Sequence, residues 1–297
     1  TSRSAASVAQ EMLDLTRWEM RGYIARMRHD SGLKVEEIGR PVLPDAREPL
    51  DDWFARRKAQ FLRAQEDHRA KDWMRFTINR PGPFALVFVG DPHGDDDGTD
   101  LLTLERHLSI IEKTPGMYGV GMGDYINNWQ RKLAHLYGNQ GTTAEEGWRF
   151  VEWFFSRPIW LLLLKGNHCM WSGAGNPMNW MFTHGAPVVD WSAKFEVASG
   201  DAVWKIEAAH NFPGKSMYNK AHGPKKRALF SNVSADLYVA ADHHNWSLQQ
   251  DEHADTGHVY WTGRARGYKI LDQYADLLGF SSHSHGHSLV AVCDPSD

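Results

Sequence analysis

The sequence predicts an α/β domain rich in β-strands, preceded by a helical extension. Three observations carry this reading. The apolar periodicity changes character near residue 80, strand-like and helical stretches alternate from there on, and the strand-like stretches end repeatedly in Asp, Asn and His. Residues 1–79 are expected to form the extension and residues 80–297 the main domain.

In the first part, SVAQEMLDLTRWEMRGYIARMR and EPLDDWFARRKAQFLRAQEDHRAKDWMRF space apolar residues helically among dense charges, with GRPVLPDAREP between them. Two or three helices are expected. SGLKVEEIGRPV has the outline of a degenerate helix-turn-helix fragment, but it lacks the base-contacting polar residues of a recognition helix. After NRPGP, FALVFVGDPHG reads as a buried strand running into a turn, and DLLTLERHLSIIEK as a helix. MYGVGMGDYINN and TAEEGWRFVEWFFS repeat the pair, and IWLLLLKGNHCMW is a third strand, continuously apolar as a strand covered on both faces should be. SAKFEVASGDAVWKIEAAHNF alternates like a hairpin with a Gly-Asp turn, as do WSLQQDEH with GHVYWTGRARGY, and SLVAVCD reads as the last strand.

Composition sets bounds on partners. With 297 residues, 42% of them hydrophobic, the chain can build one large core with an appendage. The longest apolar run, PIWLLLLKG, is far below the roughly 20 residues that a membrane-spanning helix needs, so no membrane partner is expected. No leading signal segment is visible, and Cys169 and Cys293 allow one disulfide at most; a cytoplasmic location is the expectation. Residues 1–80 hold 16 Lys and Arg against 13 Asp and Glu, and residues 81–297 hold 17 against 24. The larger part is therefore acidic, which disfavours non-specific polyanion binding and suits a domain that gathers cations.

The chemistry lies at the strand ends: Asp91-Pro92-His93, Gly123-Asp124, Gly166-Asn167-His168, and Asp242-His243-His244 after LYVAA. In open α/β sheets, ligands bind beyond the carboxyl ends of the strands. Four such ends carrying Asp, Asn and His would crowd costly polar groups unless something binds them, and a metal ion does so economically.

The ordered set GDPHG, GDYINN, KGNHCMW, AAHNF and AADHHN resembles the calcineurin-like metallophosphoesterase superfamily, over about residues 84–295. The resemblance implies a β-sandwich flanked by helices, two divalent metal ions, and hydrolysis of phosphate esters. It assigns Asp91, His93 and His244 to one metal, Asn167, His210 and Asp242 to the other, and Asp124 to both. His168 resembles the family's catalytic histidine, and Asn127 would contact substrate phosphate. The mixed donors suit manganese, iron, zinc or magnesium, and ligand type alone does not choose among them; manganese is the first expectation. If these segments are extended, Asp91 with His93 and Asp242 with His244 share a face, and His243 points away.

Two positions depart from the family pattern. Asp242 places a carboxylate where a histidine is usual, and Cys169 stands where an acid commonly follows Gly-Asn-His, so His168 must find another partner. The expected substrate is a phosphodiester, nucleic acid included, with a nucleotide or protein phosphomonoester as the alternative, and a metal-binding protein acting through its N-terminal helices as the non-enzymatic one. Trp129, Trp171, Trp180 and Trp246 could stack on bases, and Lys225, Lys226, Arg227, Arg264 and Arg266 could form a basic rim. His258 and the SSHSHGHS histidines His283, His285 and His287 are expected outside the metal set, and GDDDGTD, with Asp97 and Asp100, beside it as a polar rim.

Overall fold

The structure, a computed structural model, describes residues 47–170, 177–179, 181, 183–271 and 288–296, with Arg26 and His29. The chain divides into two units, residues 1–60 and 61–297. Within the described part, helix α1 (Leu50–Ala70) buries none of its residues, and its first turns carry a bidentate Arg56–Glu48 pair. The SGLKVEEIGRPV segment lies outside the described residues.

The second unit is a mixed α/β arrangement of two sheets. One has five strands in the order β11 (Leu289–Cys293), β2 (Phe84–Val89), β3 (Met117–Gly121), β4 (Trp160–Leu164) and β5 (Val188–Val189). The other has six, in the order β1 (Met74–Thr77), β6 (Ser192–Ser199), β7 (Ala202–Ala209), β8 (Leu237–Ala240), β10 (Val259–Arg264) and β9 (Ser247–Glu252). Strand β1 falls within the stretch expected to be helical: its short MRFT sequence alternates exposed and half-buried residues and pairs in parallel with β6.

The period of two along each strand decides the layering. Phe84, Leu86 and Phe88 of β2 share one core with Phe195 and Val197 of β6, Ile206 of β7, and Leu237 and Val239 of β8, so the two sheets face each other. The alternate residues, Val87 and Val89, pack instead against α2 (Leu101–Lys113) and α3 (Ala144–Ser156) through Leu104, Leu108, Val151 and Phe154. The short helix α4 (Asn167–Met170) follows β4, and on the far side Tyr238 and Ala240 of β8 meet Ala228 of α5 (His222–Phe230). Asp100 caps α2 by accepting from the Thr103 N–H, and Thr143 with Glu146 forms a capping box on α3. The β6–β7 hairpin turns on Gly200, whose φ of +58° suits the first position of a two-residue turn. Among the described residues, no helix is long and apolar enough to cross a membrane.

Candidate metal centre

Strands β2, β3 and β4 are parallel neighbours, so their carboxyl ends lie side by side; β7 and β8 are parallel neighbours in the other sheet. The residues just past these five ends are the ones that the sequence singled out. Backbone hydrogen bonds tie the segments together: His93 N–H donates to the Asp124 carbonyl (3.1 Å), Ala241 N–H to the His210 carbonyl (3.0 Å), and Tyr268 N–H to the Asp91 carbonyl (3.1 Å).

The side chains converge from both sheets. His210 Nε2 lies 2.9 Å from Asn167 Oδ1, 3.3 Å from Asp124 Oδ2 and 3.7 Å from Asp242 Oδ1, and its Nδ1 is 3.6 Å from Asp91 Oδ1. His93 Nε2 faces His244 Nε2 at 3.2 Å and Asp124 Oδ2 at 4.0 Å, and His244 Nε2 is 3.9 Å from Asp91 Oδ2. Asp91, His93, Asp124 and His210 are each at most 3% exposed. Among the described residues, two groups have the spacing to hold an ion, Asp91–Asp124–His210 and His93–Asp124–His168, and Asp124 belongs to both.

Three features of the chain fit a cation here. Both carboxylate oxygens of Asp91, and Nδ1 of His93, are buried without a hydrogen-bond partner; the Asp242 N–H approaches Asp91 but falls short of hydrogen-bond geometry. His210 donates its Nδ1–H to the Met122 carbonyl (2.8 Å), which leaves Nε2 aimed at the oxygens of Asn167 and Asp124. A backbone acceptor behind one ring nitrogen is how ligating histidines are commonly oriented. The donor set of three carboxylates, three imidazoles and an amide also suits a divalent ion.

Electrostatics follow the crowding. Burial pushes the Asp91 carboxyl well above the carboxylate range; His210 opposes this, while Asp124 and Asp242 add to it. Burial also opposes ionisation of Asp124, but His210 and His168 outweigh it and hold its carboxyl well below that range. His93 is pushed down by burial and by its neighbours His244 and His168. For His210, burial works against the charged form, yet Asp124, Asp91 and Asp242 prevail and push its pKa up to about 10. That lies above the ordinary histidine value, so the stabilisation is complete below about pH 6.5 and is lost as pH rises through about 10. The metal-free protein is therefore expected to lose thermal stability between pH 7 and 10. Protein loaded with Mn2+ should lose less, because a ligating imidazole is neutral. Tm measured against pH with and without chelator checks this, and a metal-free Tm that climbs over that range would contradict it.

His168 does find a partner other than an acid. Its Nδ1–H donates to the Asn127 carbonyl, its backbone N–H donates to Asp124 Oδ1 (2.9 Å), and its Nε2 stands 3.8 Å from Asp124 Oδ2. Trp129 packs edge-on against its ring, with centroids 5.3 Å apart, and the Asn128 amide donates to its carbonyl (2.7 Å). Cys169 is buried in the apolar layer, and burial pushes its thiol up to about 12.

Several expectations change. Asn127 is fully buried; its amide N–H groups donate to Asp96 and Gln140 and brace a loop, while its Oδ1 is buried without a hydrogen-bond partner. GDDDGTD belongs to the same brace: Asp95 accepts from Asn127 N–H, Asp97 from Gly141 N–H, and Asp96 pairs with Lys269. The metal-set residues Asp91, His93, Asp124, Asp242 and His244 have φ between +28° and +63°, so their convergence comes from left-handed backbone and not from the pleat of an extended strand. His243 is not turned fully away, since its Nε2 lies 3.4 Å from Asp242 Oδ2. The basic rim largely dissolves: Lys225 pairs with Asp251, Arg227 pairs with Glu207, and Arg264 and Arg266 are buried, leaving Lys226 exposed. Trp129 is buried against His168 and Trp246 is exposed; Trp171, Trp180, His283, His285 and His287 lie outside the described residues. His258 lies beside Ala235 and Asp236, away from the centre.

Sequence reasoning missed Asn128, though GDYINN contains it beside Asn127, and it named Trp129 as a base-stacking candidate where the structure packs it against His168. A cavity of about 480 Å³ elsewhere, lined by Trp204, Leu237, Trp261, Leu289 and Val292 among others, is mostly apolar and lacks convergent polar groups. Compared with models of protein families and with curated proteins, the chain matches none.

Proposed function

We propose that this protein is a metal-dependent phosphoester hydrolase of the calcineurin-like metallophosphoesterase type, acting on a phosphodiester in preference to a monoester. The observation that carries the reading is the shared carboxylate: Asp124 belongs to both groups of ligand-spaced side chains, at the carboxyl ends of strands from two facing sheets. Those groups join Asp91 to His210 and His93 to His168, and so cut across the two ligand sets that the resemblance assigns. Asp91, His93 and His244 would hold one divalent ion, Asn167, His210 and Asp242 the other, with manganese the first expectation. When bound, such a pair supplies Lewis acidity toward the phosphoryl oxygens and a water nucleophile at neutral pH.

The chain's own groups do the rest. The Asn127 carbonyl holds His168 in the tautomer that carries the Nδ1 proton, and Trp129 fixes the ring plane, so Nε2 is presented to the centre. From there, a protonated Nε2 can deliver a proton to a leaving alkoxide, the role general acid catalysis requires. Asp124 divides its work: Oδ1 anchors the His168 backbone and Oδ2 faces His210, His93 and His168. Because the basic residues are mostly paired or buried, a small diester is placed ahead of nucleic acid as substrate. Two buried, unbridged cysteines keep a reducing, cytoplasmic setting part of this reading.

The test is elemental analysis of the purified protein, followed by assays with Mn2+ on an aryl phosphodiester, an aryl monoester, and single- and double-stranded DNA. The diester should be turned over fastest, and His168→Ala should slow it about 10²- to 10⁴-fold while metal content holds. Absence of turnover on every ester by metal-loaded protein would sink the reading.

A further inference from the structure

Asp242 is placed by an unusual turn. Its φ is +63°, and the His243 N–H donates across it to the Ala241 carbonyl at 2.8 Å. A three-residue turn closed around a positive φ is the rare and strained form of the γ-turn. Such a conformation persists only where its surroundings over-determine it.

The surroundings here are a buried arginine. Arg264, at the end of β10, is fully buried and is the largest such side chain among the described residues. Its backbone stands opposite Ala240 in the β8–β10 ladder, and the next N–H, of Ala265, donates to the Ala240 carbonyl (2.8 Å). The ladder stops there, and the guanidinium carries the hydrogen bonding one residue further: Nη1 donates to the Ala241 carbonyl and Nε to the Lys220 carbonyl (3.1 Å). The Ala241 peptide is thus held on both sides, its N–H by the His210 carbonyl and its carbonyl by Arg264. A planar fork with several fixed donors can span two carbonyls in this way, whereas an ammonium cannot match its geometry. Burial works against the charge on Arg264, and Asp242 and Asp91 work for it.

We propose that Arg264 is a positioning residue for the metal centre: by holding the Ala241 carbonyl, it maintains the strained turn that aims the Asp242 carboxylate toward His210. This rests on the two-metal reading above. Arg264 touches neither substrate nor ion; it acts through Asp242.

The experiment is Mn2+ binding to the full chain by titration calorimetry, together with the exchange-coupled spin signal that only a doubly loaded protein gives. Wild type should take up two equivalents. Arg264→Met should weaken one site about 10- to 100-fold, the range seen when a ligand's support is removed, and lose the coupled signal, with the other site unchanged. Asp242→Asn should weaken the same site, and the double variant should be no worse than Asp242→Asn alone, since two residues acting through one carboxylate do not add. Arg264→Lys, which keeps the charge and one donor, should fall between wild type and Met, and it carries the test if the Met variant does not fold. Two unaltered sites in Arg264→Met, or losses that add in the double variant, would overturn the inference while leaving the functional reading intact. Wild-type protein that takes up no Mn2+ would overturn the functional reading, and this inference with it.

Discussion

Asp124→Asn is expected to weaken metal binding in both halves of the centre at once. The substitution keeps an oxygen that can accept the His168 N–H, now at 2.9 Å from Oδ1, so the local backbone should survive. It removes the negative charge from the side chain that, among the described residues, belongs to both ligand-spaced groups. Loss of a supporting residue costs about 10- to 100-fold in metal affinity, and loss of a shared ligand should exceed this at each site. Turnover should fall by at least about 10²- to 10³-fold, the range for deleting one preorganised electrostatic contact. Elemental analysis and calorimetry check the first claim, and steady-state assays the second. Retention of two tightly bound ions by Asp124→Asn would show that the shared carboxylate is incidental.

Gly166→Ala should be a strongly disruptive single-methyl change in the centre. A Cβ at Gly166 would sit 2.6 Å from the Asp124 backbone nitrogen, and closer still to its carboxylate. Neither atom can give way: Asp124 is 2% exposed, and its own backbone is left-handed at φ +46°. Overpacking in a filled site typically costs 1–3 kcal/mol, and contact with the Asp124 backbone as well as its carboxylate argues for about 3 kcal/mol. Chemical denaturation should show this loss in metal-free protein, and metal affinity should drop with it because His168 and Asn167 follow directly in the chain. Gly185→Ala is the control for adding a methyl at a loop glycine, since it has open space around it, though its φ of +85° makes it mildly strained. A Gly166→Ala protein no less stable than that control would show that the β4 turn can move away from Asp124.

Much of this architecture could be read from the sequence because the strands are covered on both faces. FALVFV and LYVA need apolar residues at every position, and such runs are hard to mistake for surface loops. Strand β1 was not legible, since MRFT is short, half-exposed and continuous with charged helical sequence. Helix α5 was read as a basic patch; HGPKKRALF has Pro224 near its start, which suits a first turn, but shows little segregation of apolar residues. At the centre, residue types and order sufficed to collect Asp91, His93, Asp124, Asn167, His210, Asp242 and His244. The backbone that gathers them did not follow from strand periodicity, because a left-handed residue other than glycine leaves no pattern in the sequence. The surroundings of Asn127 were hidden for a related reason: its position in GDYIN matches a motif, while its burial depends on Asp95, Asp96 and Gln140, from segments that sequence order does not bring together.

The left-handed residues have a consequence for which amino acids these positions can accept at all. At φ between +28° and +63°, a β-branched side chain collides with its own backbone, whereas Asp, Asn and His are the non-glycine residues that tolerate such angles best. Those are also oxygen and imidazole donors. The fold and the proposed ligation therefore call for the same short alphabet, so at Asp91, His93, Asp124, Asp242 and His244 a replacement that keeps the chain's path while abolishing its donor is largely confined to glycine.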